Sequence, residues 1–211
     1  MDVLDRLDQA RSAVNVLEHP FYVRWSAGEL SAEELGRYAG EYRHAVLALA
    51  QASADVAEYA APEQRSGLRR HALQEASHVE LWEQFEQAAG ADAAGAPGEQ
   101  TRSCAQAWTA GEDLLERLAV LYAIEAGQPQ ISTTKLEGLV SHYGFSAEGP
   151  ATEYFRVHER LDVEHADQAR ALISKLMQDV QDADEQAERM VRRATDALRG
   201  NWLLLDGVEA S

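Results

Sequence analysis

Residues 158–165 read HERLDVEH and decide the fold, because they combine helical spacing with metal-ligating side chains. His158, Asp162 and His165 stand at positions i, i+4 and i+7, so a helix presents all three on one face. Apolar residues share or flank that face: Phe155, Leu161, Ala169 and Leu172. A carboxylate buried beside two imidazoles is costly without a cation, so the stretch predicts half of a metal site that faces the core. A solvated polar face with two incidental histidines is the alternative.

The rest of the chain also has helical periodicity. Only 5 prolines and 14 glycines interrupt the 211 residues, and alternating strand-like runs are absent from the sequence. We predict helices over these approximate ranges: 3–17, 31–59, 62–89, 101–125, 132–143, 150–180 and 184–199. The aromatic stretch 21–25 and residues 90–98 are expected to be connectors, and residues 202–205 an apolar tail. The sequence therefore predicts an all-α bundle of about seven helices in one domain, residues 1–211.

Charge and composition exclude several classes of partner. Acidic residues outnumber basic ones, 36 against 19, which gives a net charge of −17. Such a surface repels phosphate backbones and anionic lipid, so we expect neither a nucleic acid nor a membrane as partner. No segment approaches the ~20 uninterrupted apolar residues of a membrane span. The single cysteine, Cys104, cannot form an intrachain disulfide, which fits a cytoplasmic protein.

Two further stretches offer metal ligands. Glu75 and His78 stand at i and i+3, the spacing that di-iron carboxylate bundles use, but Glu41 and His44 share it. The residues that follow His78 favour a core-facing helix: Val79, Leu81, Trp82 and Phe85. Glu125 ends an apolar run, where an unpaired carboxylate would be poorly solvated. A surface ion pair and a helix-end carboxylate turned to water are the alternatives for these two stretches.

Together the three stretches supply six candidate metal ligands from three helices. They are Glu75, His78, Glu125, His158, Asp162 and His165. Mixed imidazole and carboxylate ligands suit iron or manganese. Six ligands exceed what one ion needs if a position stays open, and they suit two ions that share a carboxylate. We therefore expect two iron ions, or a manganese–iron pair, that react with dioxygen and an external reductant.

A resemblance to a known family agrees with this ligand set. Residues 19–30, HPFYVRWSAGEL, followed by Glu34, Leu35 and Tyr38, resemble the opening of haem-oxygenase-like proteins, which include the thiaminase-II type. The six-ligand pattern narrows the resemblance to the haem-oxygenase-like di-iron oxidases and oxygenases, and to a chlamydial branch among them. The similarity covers about residues 7–176. It implies a seven-helix haem-oxygenase-like fold without haem, and a dinuclear iron or mixed-metal site.

The same resemblance implies chemistry for three further residues. Family members use dioxygen for N-oxygenation of amines, for C–C cleavage of fatty or amino acids, or for 4-aminobenzoate formation. The chlamydial branch is thought to make 4-aminobenzoate from its own tyrosine, with a lysine as amino donor. Tyr22, Tyr38 and Lys135 stand at the matching positions. Buried core aromatics are the alternative for the two tyrosines. Two departures are a shorter Glu75–His78 spacing and Arg43, which stands where that branch has a second tyrosine.

Three hypotheses follow for the function. The first is an oxygenase or oxidase with two metal ions that acts on a small amine or amino-acid-like substrate in a biosynthetic pathway, either as an N-oxygenase or by oxidative cleavage. The second is a self-sacrificing 4-aminobenzoate synthase, whose substrate is the protein itself. The third is a metal-free helical binding module. The apolar tail at residues 202–205 makes a homodimer possible in each case.

Overall fold

The computed structural model describes residues 1–91 and 95–210, and within that part the chain forms nine α-helices and one 3₁₀ turn. Their bounds are α1 Val3–Ala13, the 3₁₀ turn Val16–Glu18, α2 Pro20–Ala27, α3 Ala32–Tyr59, α4 Pro62–Ala88, α5 Glu99–Trp108, α6 Leu114–Glu125, α7 Gln128–His142, α8 Pro150–Met177 and α9 Ala183–Ala210. Residues 92–94 of the predicted connector lie outside the described residues. The all-α class is confirmed, with nine α-helices in the described ranges where about seven were expected.

Helices α4, α6 and α8 enclose the centre of the bundle. Helices α3 and α4 pack along each other, and α8 packs against α4, α6 and α7. Helix α9 covers α5 and α6 from the other side and also contacts α1. Because α4, α6 and α8 meet, the predicted metal ligands of all three stretches face one interior region.

The aromatic connector predicted at residues 21–25 is wrong, because this stretch is part of helix α2. Pro20 occupies its first turn, and the His19 ring nitrogen accepts a hydrogen bond from the backbone N–H of Phe21. Gly28 ends the helix in the left-handed conformation, with φ of 73°. Eight residues are too few to show a helical period, but this short helix inserts Phe21, Tyr22 and Trp25 into the core.

The single helix predicted over residues 101–125 is also wrong, because the chain breaks it into α5 and α6. Asp113 caps α6 by accepting a hydrogen bond from the backbone N–H of Glu116. Glu116 is itself buried and pairs with Arg189 and Arg193 of α9. The break lets α6 turn toward the centre of the bundle, where its last residue is Glu125.

The apolar tail at residues 202–205 continues helix α9. Leu204 and Leu205 are buried against the chain's own core, whereas Leu203 is exposed. The tail therefore exposes little apolar surface, and a homodimer through it stays a prediction. None of the described helices combines the length and the hydropathy that crossing a membrane requires.

Candidate metal centre

Helix α4 presents three ionisable side chains on one buried face. His71, Glu75 and His78 stand at i, i+4 and i+7, and none is more than 6% exposed. Trp82 and Phe85 continue the same face and are fully buried, which fixes the rotation of the helix against the core. Because the face is continuous, the ionisable residues one, two and three turns before Trp82 are buried with the aromatic end of the helix.

Helices α8 and α6 supply the opposing side chains. His158, Asp162 and His165 of α8 are buried, and Glu125 at the end of α6 is fully buried. The half-site predicted from HERLDVEH therefore faces the core, as its spacing requires.

The ligand atoms form two groups that share one carboxylate. His71, Glu75, Glu125 and His165 make the first group, and Glu75, His78 and His158 make the second. Within each group the candidate ligand atoms lie within 4.8 Å of one another. A carboxylate common to both groups is the arrangement expected when two ions are held side by side.

Short contacts connect the groups. His71 Nε2 lies 2.8 Å from Glu125 Oε1, and His165 Nδ1 lies 3.6 Å from Glu75 Oε1. Glu75 Oε1 is also 3.3 Å from His78 Nδ1, while its Oε2 is 3.6 Å from His158 Nε2. The Glu75 carboxylate thus points between the imidazoles of α4 and α8.

The ring orientation of His158 is fixed from outside the cluster. Its Nδ1 lies 2.8 Å from the carbonyl oxygen of Tyr154, to which it donates a hydrogen bond. Nε2 then carries the free lone pair and faces Glu75. A ring nitrogen held by a backbone carbonyl is the usual support of a metal-ligating histidine.

The candidate metal-ligating atoms are buried, and none of them makes a hydrogen bond. Whether the site fits a metal can be judged from this lack of partners. The unpartnered atoms are His71 Nε2, Glu75 Oε1, His78 Nδ1, both carboxylate oxygens of Glu125, His158 Nε2, both carboxylate oxygens of Asp162 and His165 Nδ1. Buried polar atoms normally have partners, because an unsatisfied one costs roughly 1–3 kcal/mol. Converging imidazole nitrogens and carboxylate oxygens without partners fit a cation of the iron or manganese type.

The electrostatics of the cluster also favour a bound cation. Burial raises the pKa of Glu125 well above its ordinary value, and the charges of Asp162 and Glu75 add to the rise. Burial also opposes ionisation of Glu75, but the imidazoles of His158 and His78 hold its pKa below the ordinary value. Carboxylates crowded in this way are stabilised in their charged form only when cations lie among them.

A second buried cluster adjoins the metal centre and is termed the aromatic–lysine cluster, made of Tyr22, Tyr38, Tyr42, Trp82 and Lys135. The hydroxyls of Tyr22 and Tyr38 share a hydrogen bond of 2.9 Å. The Lys135 ammonium nitrogen lies 4.3 Å from the ring centroid of Tyr42, 5.4 Å from that of Tyr22 and 5.6 Å from that of Tyr38. All five side chains are buried.

The backbone around Lys135 is held by close packing. Trp25 Nε1 donates a hydrogen bond of 3.1 Å to the carbonyl oxygen of Lys135. A Cβ atom at Gly138 would lie 2.5 Å from the Trp25 ring, so only glycine admits this indole against α7. Burial lowers the pKa of the Lys135 amine to about 7.

Stacked rings connect the two clusters. The Tyr154 ring stacks on the His158 imidazole with centroids 4.0 Å apart, and its edge contacts Trp82 at 4.8 Å. Trp82 in turn lies 5.0 Å from Tyr42. The aromatic–lysine cluster is therefore in continuous contact with the His158 side of the metal centre.

A comparison with protein families decides the assignment. The family described as "Iron-containing redox enzyme" matches residues 23–200. The chain belongs to this family. Its membership confirms the expected oxidoreductase and gives no support to the metal-free binding module.

Curated relatives of similar sequence share the name 4-aminobenzoate synthase. This chain is 34% identical to the 4-aminobenzoate synthase of Chlamydia trachomatis, over 95% of this chain and 90% of the relative. It is 30% identical to the 4-aminobenzoate synthase of Nitrosomonas europaea, over 97% of this chain and 89% of that protein. The resemblance to a chlamydial branch is confirmed.

Solved structures confirm the haem-oxygenase-like fold. A TenA homologue from Pseudomonas syringae superimposes with a TM-score of 0.82 at 17% identity, over 99% of this chain and 91% of that one. A domain with a haem-oxygenase-like fold from Shewanella denitrificans gives a TM-score of 0.77 at 18% identity, over 100% of this chain and 93% of that one.

Five of the six predicted metal ligands of this iron-containing redox enzyme lie in the two groups, and the sixth lies beside them. Asp162 falls outside both groups, but its Oδ1 is 3.4 Å from His165 Nδ1. Metal binding by each of the six side chains stays a prediction.

Arg43 lies outside the aromatic–lysine cluster, because its guanidinium pairs with Glu83 and Glu86.

Two residues of these clusters, His71 and Tyr42, were not predicted from the sequence as site residues. His71 completes the first group, and the pattern His71-x3-Glu75-x2-His78 repeats the spacing of His158-x3-Asp162-x2-His165. That repetition was the available signal. Tyr42 contacts Lys135 more closely than Tyr22 or Tyr38 does, and its position one helical turn after Tyr38 could have identified it.

Proposed function

We propose that this protein is an oxygen-dependent 4-aminobenzoate synthase that makes its product from its own side chains. Family membership supports iron-dependent redox chemistry, and relatives that match along most of their length carry this name. The observation that carries the proposal is the enclosure of the Lys135 amine among three tyrosine rings, in contact with the metal centre through Trp82 and Tyr154.

Iron fits the donor set of the metal centre. In this proposal His78 and His158 would hold one ion, and His71, His165 and Glu125 would hold the other, with Glu75 belonging to both groups. Asp162 adds a carboxylate at the edge of the metal centre, beside His165. Iron bound there would supply the reaction with dioxygen that amino-acid side chains alone do not carry out, and an external reductant would keep the iron reduced. A manganese–iron pair would use the same types of donor.

A tyrosine side chain already contains the carbon skeleton of the product. Its conversion to 4-aminobenzoate breaks the Cα–Cβ bond and oxidises Cβ to a carboxylate, with dioxygen as the oxidant. The ring hydroxyl leaves as water and is replaced by the lysine nitrogen, whose bond to Cε breaks and leaves Cε as an aldehyde. Tyr22 and Tyr38 are the proposed sources of the ring, since both contact Lys135 and their hydroxyls share a hydrogen bond. Their burial excludes water, which would otherwise compete with the amine.

Lys135 is proposed as the nitrogen source. Only two of the chain's 19 basic residues are lysines, and Lys135 is buried whereas Lys175 is exposed. A buried cation is costly, so an apolar residue would be expected here if the role were structural. Because burial lowers its pKa to about 7, the Lys135 amine is substantially deprotonated near neutral pH, and a deprotonated amine has the lone pair that nitrogen transfer requires.

Intact-protein mass spectrometry tests the proposal. The protein is loaded with iron without oxygen, its metal content is measured, and its mass is compared before and after reductant and oxygen are added. We expect a mass loss that peptide mapping places at Tyr22 or Tyr38 and at Lys135, together with free 4-aminobenzoate. Lys135→Arg should abolish the product, and Lys175→Arg is the matched control that should retain it.

An unchanged protein mass would contradict the self-sacrificing reaction. If iron is bound and oxygen is consumed while the mass stays constant, an external amine or amino-acid-like substrate is the better assignment. If no iron binds, the metal centre itself is wrongly assigned.

A further inference from the structure

A small cavity reaches the metal centre from the protein surface between α4, α6 and α8. Its volume is about 140 Å³, and His71 and His165 line its inner end. Leu68, Leu121 and Leu172 form much of the wall. This cavity adjoins the His71–His165 side of the centre, whereas the aromatic–lysine cluster adjoins His158.

Gly67 lines this cavity on helix α4 and has no evident packing role. A Cβ atom built at Gly67 meets no other atom within 4 Å, so side-chain volume is available there. Glycine inside a helix costs about 0.5–1 kcal/mol relative to alanine. Because Gly67 lines the cavity without a side chain, a large side chain at this position has room to extend into the cavity.

We propose that this cavity is the passage through which dioxygen reaches the metal centre. The inference rests on the proposed oxygen-dependent function. Leucine walls disfavour ions and charged solutes, and the cavity is smaller than the roughly 300–1,000 Å³ of pockets that bind drug-sized molecules. Dioxygen is small and apolar, and apolar cavities of about 150 Å³ take up apolar probes such as xenon. The polar amides of Gln64 and Gln168 also line the cavity.

The passage would separate the entry of the oxidant from the side chains that react. Dioxygen would arrive beside His71 and His165. The tyrosine rings and Lys135, which lie on the His158 side of the metal centre, would stay buried. Such a separation explains how a site can admit an oxidant while its aromatic–lysine cluster remains buried.

Xenon is the probe for the cavity, because its binding does not depend on activity. We expect crystals of the metal-loaded protein under xenon pressure to show xenon between Gly67 and the two histidines. Gly67→Phe should exclude xenon. Gly67→Ala is the matched control, since it adds helix propensity with little volume and should retain xenon. A cavity without xenon in the wild-type protein would overturn the proposal.

Stopped-flow oxidation of the iron-loaded, reduced protein tests the function of the cavity. We expect the second-order rate constant for dioxygen to fall several-fold in Gly67→Phe and to stay at the wild-type value in Gly67→Ala, with equal iron content in all three proteins. Gly67→Leu, which has high helix propensity, provides a second filled variant if Phe impairs folding.

The outcomes separate this proposal from the proposed function. If the filled variants react with dioxygen at the wild-type rate, the passage is refuted and the synthase assignment stands. If the wild-type protein binds iron but does not react with dioxygen, the oxygen-dependent function fails, and the passage fails with it.

Discussion

His71 Nε2 lies 2.8 Å from Glu125 Oε1, and this contact joins α4 to α6 inside the metal centre. The His71 ring also stacks on His165 of α8, with ring centroids 3.8 Å apart. One side chain that the sequence analysis did not select therefore meets both other ligand-bearing helices. Both atoms of the His71–Glu125 contact are buried, and although they are close, the contact lacks hydrogen-bond geometry.

We expect His71→Ala to weaken the binding of one of the two metal ions by about tenfold or more, because even the loss of a residue that only supports a metal ligand costs this much. The measurement is a titration of the metal-free protein with Fe²⁺ or Co²⁺ under anaerobic conditions. His44→Ala is the control, because His44 lies on α3 outside both groups. Unchanged affinity and unchanged Co²⁺ absorption in His71→Ala would show that His71 is not a ligand.

Metal removal should destabilise the fold. Without a cation the carboxylates of Glu75 and Glu125 lie buried and close to each other, which raises the free energy of the folded state. We expect a chelator to lower the Tm, and added Fe²⁺ to restore it in proportion to the logarithm of its concentration above the Kd. A Tm that is the same with and without metal would mean that the cluster does not hold an ion in the folded state.

Lys135 should make the stability of the metal-free protein depend on pH. Because burial lowers its pKa from 10.5 to about 7, the unfolded chain binds more protons than the folded chain between these values. The residue therefore destabilises the fold most at and below neutral pH, and this penalty disappears as the pH approaches 10.5. We expect Lys135→Met to raise the Tm near pH 7, with a gain that shrinks toward pH 10.

The comparison with Lys175→Met makes this prediction specific. Lys175 is exposed on α8, so its replacement should change the Tm little at any pH. If Lys135→Met and Lys175→Met show the same dependence on pH, the Lys135 amine is not held in its neutral form.

Gly138 should be intolerant of a side chain, in contrast with Gly67. A Cβ at Gly138 would lie 2.5 Å from the Trp25 ring, and this indole is fully buried. We expect Gly138→Ala to destabilise the protein by roughly 1–3 kcal/mol through overpacking, measured by urea denaturation. Gly67→Ala should instead be neutral or stabilising by about 0.5–1 kcal/mol. Equal effects of the two substitutions would contradict the packing described for Trp25.

The sequence predicted the helices that have long periodic patterns and the ligands that lie on them. HERLDVEH predicted the inward face of α8, because three ionisable residues and the neighbouring apolar residues share one helical stripe. The predicted start of the helix over residues 31–59 also agrees with the structure, where the side chains of Ser31 and Glu34, three residues apart, form a capping box. Local spacing alone determines both features.

The rest depended on packing between distant segments. Helix α2 is stabilised by the burial of its aromatic side chains rather than by a period, so residues 21–25 were mistaken for a connector. The closeness of Tyr42 to Lys135 depends on how α3 meets α7. The 2.8 Å contact of His71 with Glu125 joins residues on two helices, and no spacing within α4 could have predicted that distance.

The most direct test of the central claim is isotope tracing from the protein into its product. The protein is made with ring-¹³C tyrosine and side-chain-¹⁵N lysine, loaded with iron, and exposed to reductant and oxygen in unlabelled buffer. The account predicts 4-aminobenzoate that carries both labels, with the ¹⁵N lost from Lys135 and retained by Lys175. Unlabelled 4-aminobenzoate, or oxygen consumption by the iron-loaded protein without this product, would contradict it.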